Sequence, residues 1–438
     1  MFILDSETEM TEELLLELID KHKAYHERYE RLKKMYKHEH EILDLPKKEA
    51  YKPDNRLVVN YAKYIVDTLN GFFIGVPIKI KHDKKEINDY LEFIDKFNDQ
   101  DDNNAELSKL CSIYGHAYEM IYVDEINDKA HMGITYIEPM EAFVVYDNSI
   151  VGRPMYGVRY YNSVEGKLEG SYSDKNTIYY FNENDRGEIV IGETKPHLFG
   201  DVPIYEYVEN EEKLGAFEGV ETLINANNKA LSEKANDVEY FADAYLLILG
   251  AILNEEALNK FRDNRIINME GRDIEKLVVE FLEKPSADET QENLIDRLEK
   301  LIFQISMVMN INDENFGTQS GIALKYKLQS MENLAKTKER KFQSGLNKRY
   351  RMIANTGLTP LKGDEWVGIS TQFTRNYPAN LKEESEIAKN LKGVTSDETA
   401  LSVLSMVEDA KREVEKINEQ YNSDDSFDFK EEADVDEE

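Results

Sequence analysis

The stretch from Leu294 to Ile353 limits the fold more than any other part of the chain, because it reads as helix, broken loop and long helix in succession. The three pieces are NLIDRLEKLIFQISMVM, NINDENFGTQSG and IALKYKLQSMENLAKTKERKFQSGLNKRYRMI. In the last piece Leu324, Leu328, Met331, Ala335, Phe342, Leu346 and Ile353 recur with the 3.6-residue period, which makes one apolar stripe on an otherwise polar rod. At 1.5 Å per residue one continuous helix there runs roughly 50 Å, the width of a domain. It is expected to be a spine rather than a member of a small bundle.

Its charge is as unusual as its length. Lys325, Lys327, Lys336, Lys338, Arg340, Lys341, Lys348, Arg349 and Arg351 face only Glu332 and Glu339 in a chain of net charge -33. Either the rod pairs with acidic neighbours inside this protein, or it meets a polyanion or an acidic face of another subunit.

At 438 residues the chain implies two to four domains. The acidic exterior argues against a sequence-reading DNA binder, which needs a dominant basic footprint. A lone cysteine, Cys111, excludes an internal disulfide framework and a cysteine zinc site. The opening residues lack a secretory pattern, and the longest apolar run, Ala244 to Leu253, is too short to span a bilayer. A soluble intracellular protein is expected.

In chain order, Thr11 can cap a helix carried by Leu14, Leu18, Tyr25, Tyr29 and Leu32 to Leu45, charged and therefore exposed, with Pro46 as its stop. A helix over Leu57 to Leu69 ends at Gly71, and a strand is entered through Pro77. A helix over Glu86 to Phe97, the acidic loop NDQDDNN and a helix over Ala105 to Tyr114 come next. From Tyr118 the period falls to two and predicts an antiparallel meander closing at Pro203 to Asn210. Ala216 to Phe241 is a helix with Val220, Leu223, Ala226, Ala230, Leu231, Ala235 and Val238 on one seam, suited to another helix.

A small α/β insertion follows, with strands AYLLIL, RIINME and LVVEFL and a short helix from Asn254 to Phe261. A capping box at Ser286 and Glu289 opens the next helix. Beyond the spine, WVGISTQFTRN is expected to be a strand returning to the first sheet. Three short helices separated by Gly393 and the Val407 to Asp409 corner come after it, then an acidic tail from Ser423 expected to be disordered.

No catalytic constellation emerges. NENDRGEIVIGE spaces Gly187 and Glu193 like a calcium loop, but Arg186 stands at a ligand position, and a β-turn is the better reading. Asp101 and Asp102 in the acidic loop are read as solvated carboxylates, and His116 as a core or interface histidine. There is no GxxxxGK[ST] and no GxGxxG. No catalytic residue, cofactor site or metal site is therefore expected.

The ordered set of NRLVVNYAKYIVDTLNGFFIG, SIYGHAYEMIYVDE, EPMEAFVVYD, LGAFEGVETLINANNKALSEKANDVEYFADAYLLILG, NFGTQSGIALKYKL and FTRNYPANLKEESEIAKNLKGVTSDETALSVL resembles the portal, or head-tail connector, proteins of tailed bacteriophages. The type is the Gp6-like one of phages of Gram-positive hosts, and the resemblance runs from about Asn55 to Gln420. It implies an α+β portal-like fold with a wing over 1–215, stem helices at 216–242 and 286–309, and a clip at 243–285. It further implies a tunnel loop at 310–320, the spine and return strand at 321–375 and a crown at 376–422, while the acidic tail at 423–438 goes beyond the family pattern.

The implied protein is a ring, usually of twelve subunits, at one capsid vertex in the virion, assembled in the host cytoplasm. Double-stranded DNA passes through it without sequence reading. Its implied partners are the terminase large subunit, head-completion or adaptor proteins, and capsid and scaffold proteins, with no membrane. Carried over, Asn312, Asp313, Glu314, Asn315, Phe316, Gly317, Thr318, Gln319 and Ser320 form the tunnel loop. Lys325 and Lys327 stand beside it at the channel, and Arg262, Asp263 and Arg265 fall in the partner-docking clip. The residues alone also permit a helical adaptor without a channel, or a metal-dependent nuclease using the acidic clusters.

Overall fold

The computed structural model describes residues 2–49, 52–126, 129–242, 246–249, 278–281, 288–310, 326, 328–376, 381–404, 406–407 and 410–424. They belong to two compact units, one of residues 1–309 with 331–374 and one of residues 310–330 with 375–438.

The first unit opens with strand β1 (Phe2–Leu4) and helix α1 (Glu12–Lys23), where the Thr11 hydroxyl accepts from the Leu14 amide at 3.2 Å. The cap stands where the sequence puts it, but the single helix expected to reach Leu45 does not form. The chain breaks at Ala24 and Tyr25, restarts as α2 (His26–Tyr36) and ends in a 3-10 turn at Glu41–Asp44. Nor are these helices simply exposed, since Leu15, Ile19 and Leu32 are fully buried. Charge on one face says nothing about the opposite one.

Helix α3 (Tyr61–Ile74), capped by the Asn60 side chain, runs through the expected stop at Gly71. A mid-helix glycine costs about 1 kcal/mol. Buried Phe72, Phe73 and Ile74 beyond it return more than that, at about 1.5–3 kcal/mol per buried side chain. Strand β2 (Lys79–Lys81) and helices α4 (Lys85–Phe97) and α5 (Gln100–Tyr114) follow. The acidic stretch read as a loop is thus mostly helix, and Asp101 and Asp102 occupy its first turn, where the helix dipole favours negative charge.

The period-two region gives β3 (His116–Ile126), β4 (Lys129–Ile137), β5 (Ala142–Asp147), β6 (Pro154–Asn162), β7 (Leu168–Ser173), β8 (Thr177–Glu183), β9 (Ile189–Pro196) and β10 (Ile204–Val208). They form two sheets instead of one meander, a six-stranded sheet ordered β1-β5-β6-β7-β8-β9 and a three-stranded sheet ordered β10-β3-β4. Strand β1 lies parallel to β5, the rest of the large sheet being antiparallel. The core against the large sheet joins Leu15 and Ile19 of α1 to Phe143, Val145, Val158, Tyr160 and Ile204. At the outer edge of β4 the Asn98 side chain accepts from the Ile134 amide (2.8 Å) and donates to the Met132 carbonyl (3.0 Å). It replaces a missing strand and closes that edge to stray pairing.

Helix α6 (Glu221–Ala242), the antiparallel pair β11 (Leu246–Leu249) and β12 (Val278–Phe281), and α7 (Asp288–Ser306) follow. The spine is α8 (Gln329–Asn355), about 40 Å long at 1.5 Å per residue. Its expected stripe is buried at Met331, Ala335, Phe342, Leu346 and Ile353. Strand β13 (Ser370–Gln372) returns to β2 and not to the large sheet, while Trp366 falls in a 3-10 turn over Gly363–Gly368.

The second unit contains α9 (Leu381–Leu391), α10 (Asp397–Leu401) and α11 (Ala410–Asp424), the three expected helices. Ser396 caps α10 through its hydroxyl, and Gly393 takes the left-handed φ of +84° before it. The Asn254 helix, the RIINME strand, the Ser286 capping box and the tail beyond Asp424 lie outside the described residues. No described helix is long and apolar enough to cross a membrane.

Candidate functional site

The residues expected to do the work lie outside the described set: Asn312 to Ser320, Lys325, Lys327, Arg262, Asp263 and Arg265. What is described is how the chain mounts the segments that carry them. Helices α6 and α7 bracket residues 243–287, and α7 and α8 bracket residues 311–325.

Helix α8 is fixed by two buried ion pairs. Lys338, only 2% exposed, sets its ammonium 2.7 Å from the Glu209 carboxylate, 2.9 Å from the Ser108 carbonyl and 2.6 Å from the Ser112 hydroxyl. Three turns on, fully buried Arg349 grips Glu119 with both Nε and Nη2 and donates to the Asn104 side-chain oxygen at 2.7 Å. Tyr205 donates to the same Glu119 carboxylate. Burial works to lower the Arg349 pKa, but Glu119 beside it holds the guanidinium well above its usual value. Between the two pairs, Gly345 faces the Tyr207 ring so closely that a Cβ would fall 2.2 Å from it. The glycine is required by close approach, not by a turn.

Three more of the rod's cations are engaged. Arg351 pairs with Asp201 at 2.6 Å, Lys341 with Glu211, and Lys336 with Glu332 at 3.5 Å. The acidic partners inside the protein therefore account for most of the excess charge on α8. Sequence reasoning did not single out Glu119 or Glu209. The available signal for Glu119 was a lone carboxylate inside the apolar and aromatic run HAYEMIY, whereas Glu209 closes IYEYVE, which also holds Glu206.

Helix α6 departs from its expected seam. Val238 is 62% exposed and Ala226 is exposed, while Asn227, Asn228, Ser232 and Asn236 are buried. The buried row is polar because it holds a non-helical segment of backbone. The amides of Asn55, Leu57 and Val59 donate to Asn236 Oδ1 (2.6 Å), Ser232 Oγ (2.8 Å) and Asn228 Oδ1 (2.8 Å). Four helical residues advance about 6 Å and two extended residues about 6.6 Å, so every second amide meets every fourth side chain.

Helix α7 is joined to α6 by Gln291 donating to Asp237 at 3.0 Å and by the Lys234–Glu292 pair. Its far end is held by Phe303, set edge-on to Tyr61 and Tyr64 with centroids 5.6 and 5.5 Å away. The Tyr64 hydroxyl donates to the Met309 carbonyl at 3.4 Å. The entry into residues 311–325 is thus anchored on α3.

Remaining candidates behave as structural groups. His116 is buried, with its Nε2 3.2 Å from the Tyr29 hydroxyl, and burial drives its pKa down to about 4. The NENDRGE segment is a tight hairpin in which Asn184 Oδ1 accepts from the Arg186 and Glu188 amides. Among the described residues no three His, Cys, Asp or Glu side chains are arranged to hold a metal ion.

Residues 15–426 match the model of the phage portal protein family, SPP1 Gp6-like. The portal protein of Clostridium phage phiCD119 is 24% identical over 392 residues, covering 83% of this chain and 84% of its own. The portal protein of Bacillus phage SPP1 is 24% identical over 408 residues, covering 85% and 77%. A chain from the neck of an empty GTA particle is similar at 11% identity over 78% of this chain and 89% of its own, with a TM-score of 0.40, too low to weigh on the fold. With the family match spanning nearly the whole chain, the protein belongs to the SPP1 Gp6-like phage portal proteins.

Proposed function

We infer that the chain is a non-catalytic subunit of a homo-oligomeric ring, usually of twelve copies in this family, at one capsid vertex. DNA is packaged and later ejected through the ring. The observation that carries the reading is the family match over residues 15–426. The internal pairing of α8 supports it physically. A conduit that neutralised many phosphates would release counterions and hold its cargo. Here Lys338, Lys341, Arg349 and Arg351 are committed to carboxylates of the same chain, which leaves a strongly acidic protein with little to grip DNA.

In this reading residues 1–215 and the returning strand are the wing, 216–242 and 286–309 the stem, 243–285 the clip and 376–422 the crown. Residues 310–320 form the tunnel loop. Lys325 and Lys327 offset the repulsion locally beside Asp313 and Glu314. Arg262, Asp263 and Arg265 dock the terminase large subunit during packaging and the head-completion proteins afterwards.

The first test is the native mass of the purified protein together with negative-stain images of the same sample. A particle of about twelve chains with a central hole fits a closed heterologous ring. Particles without a hole, in shells or out of them, overturn the reading in favour of a helical adaptor. Deleting residues 312–319 is expected to leave the ring intact and abolish packaging. Reversing charge at Arg262 and Arg265 is expected to weaken motor docking, and an unchanged complex removes the clip from that interface.

A further inference from the structure

A ring of like chains faces an electrostatic difficulty. Each copy carries net charge -33, so neighbours repel unless a basic surface of one meets an acidic surface of the next. Helix α8 holds a surface of that kind. Its exposed residues from Lys336 to Asn347 are Lys336, Thr337, Arg340, Ser344 and Asn347, which at about 100° per residue fall on one face. None is a carboxylate, although Asp and Glu make up 87 of the 438 residues.

At the border of that face stands Lys348, half-buried, and among the described residues its ammonium has no hydrogen-bond or ion-pair partner. The carboxylates nearby are taken. Glu206 accepts from Lys213 with both oxygens, at 2.6 and 2.7 Å, and from the Tyr146 hydroxyl at 3.2 Å. Asp201 holds Arg351 at 2.6 Å. Three cations, Lys213, Lys348 and Arg351, thus share two carboxylates. Burial lowers the Lys348 pKa, and Arg351 and Lys213 add to the lowering against the opposing pull of Glu206 and Asp201.

A half-buried ammonium without an anion is a cost to the free subunit. Lys81 and Lys85, exposed on β2 and at the start of α4, keep their hydration and need no partner. Duplex DNA fits this face poorly. It presents a charge about every 1.7 Å, and over the roughly 18 Å from Lys336 to Lys348 only Arg340 and Lys348 are uncommitted, because Lys336 is tied to Glu332. A carboxylate on a folded neighbour instead enters as a single charge, and the next copy of an acidic chain has many to offer.

We propose that Lys348, at the edge of the carboxylate-free face of α8, forms an intersubunit ion pair with an Asp or Glu of the neighbouring copy. This rests on the ring reading above and adds one contact of the interface to it. The test uses the full-length protein. Carbodiimide joins an ammonium to a carboxylate only where the two touch. Rings assembled from a mixture of isotope-labelled and unlabelled chains are therefore expected to yield a Lys348 peptide joined to an acidic peptide of the other isotope.

Lys348→Met is expected to raise the protein concentration at which rings half-dissociate about tenfold. The urea midpoint of the dissociated chain is expected to stay equal or rise, because an unpaired half-buried charge has been removed. A variant ring as stable as wild type overturns the proposal, as does a lower midpoint for the dissociated variant, which would place the partner within the chain. Loss of DNA binding from an unchanged ring overturns it in favour of a phosphate contact. Independently of the variant, Lys348 cross-links confined to one isotope, or none in assembled rings, overturn it too. Wild type that forms no ring removes the ring reading and this contact with it, whereas a wild-type ring indifferent to Lys348 removes this contact alone.

Discussion

Helices α6 and α8 each bury a polar face, and they do it in opposite ways. Helix α8 keeps an apolar stripe and drives two full charges into the interior, where Glu119 and Glu209 meet them. Helix α6 buries neutral amides and a hydroxyl, which bind the backbone of residues 55–59. A buried charge without its partner is left with a large solvation penalty, whereas an amide without its partner loses one hydrogen bond. The spine is therefore fixed by a few interactions that cannot be spared, and α6 by several that can.

The strongest way to break the comparison is Arg349→Met. Glu119 would stay buried without its cation, a loss of about 3–5 kcal/mol, seen as a large drop in the urea midpoint at fixed protein concentration. Adding Glu119→Gln to that variant is expected to recover much of the loss, because the unpaired charge and not the missing attraction is the main cost. Equal damage in the single and double variants would mean that Arg349 acts through packing.

Acid offers a second test, on a third manner of burial. His22 of α1 is buried neutral, its Nδ1 2.6 Å from the Tyr160 hydroxyl, and burial lowers its pKa to about 3. Below the ordinary value near 6.5 the unfolded chain takes up a proton that the folded chain refuses, so stability falls as pH drops from about 6.5 towards 3. At pH about 5 the His22 contribution amounts to about 2 kcal/mol. Asp95, raised to about 6 by burial, works the other way. The readout is accordingly the difference between wild type and His22→Phe, in which Asp95 and His116 cancel. The variant is expected to lose less stability between pH about 7 and 5, and equal losses would show that His22 is not the group responsible.

On α6, Asn228→Ala removes the acceptor of the Val59 amide and is expected to cost about 1–2 kcal/mol. It is also expected to speed hydrogen exchange at Val59 more than at Leu57 or Asn55. Exchange rising equally at all three would mean that the segment is released as one unit instead of bond by bond.

These contrasts mark what the sequence could reveal. The stripe of α8, the Thr11 cap and the period-two strands were readable because each is written in neighbouring residues. The polar face of α6 was not, because Asn228, Ser232 and Asn236 take their meaning from a segment more than 160 residues away. The break at Ala24, the passage of α3 through Gly71 and the division into two sheets have the same origin, since tertiary burial overrides local propensity. The excess charge on α8 was legible as a question with two answers. Only the positions of Glu119, Glu209, Glu211 and Asp201 choose internal pairing for Arg349, Lys338, Lys341 and Arg351. The tunnel loop and clip rest on the family resemblance, beyond the described residues.

The smallest expected effect completes the comparison, because it uses the same kinds of charge as the largest. Lys21 and Glu17 lie four apart on α1 with a 2.5 Å contact and more than half of each side chain in water. Geometry alone would rank this pair with Lys338 and Glu209 at 2.7 Å. Water separates them, since exposed ions keep their solvation and an i,i+4 pair adds about 0.3–0.5 kcal/mol. Lys21→Ala is thus expected to shift the urea midpoint by less than its replicate error, and the shift that exists should vanish in about 1 M salt, where the Debye length is near 3 Å. Lys338→Met should remain strongly destabilising in the same salt, because mobile ions do not reach Glu209 inside the fold. If the two variants responded to salt alike, burial would not be what sets the spine apart.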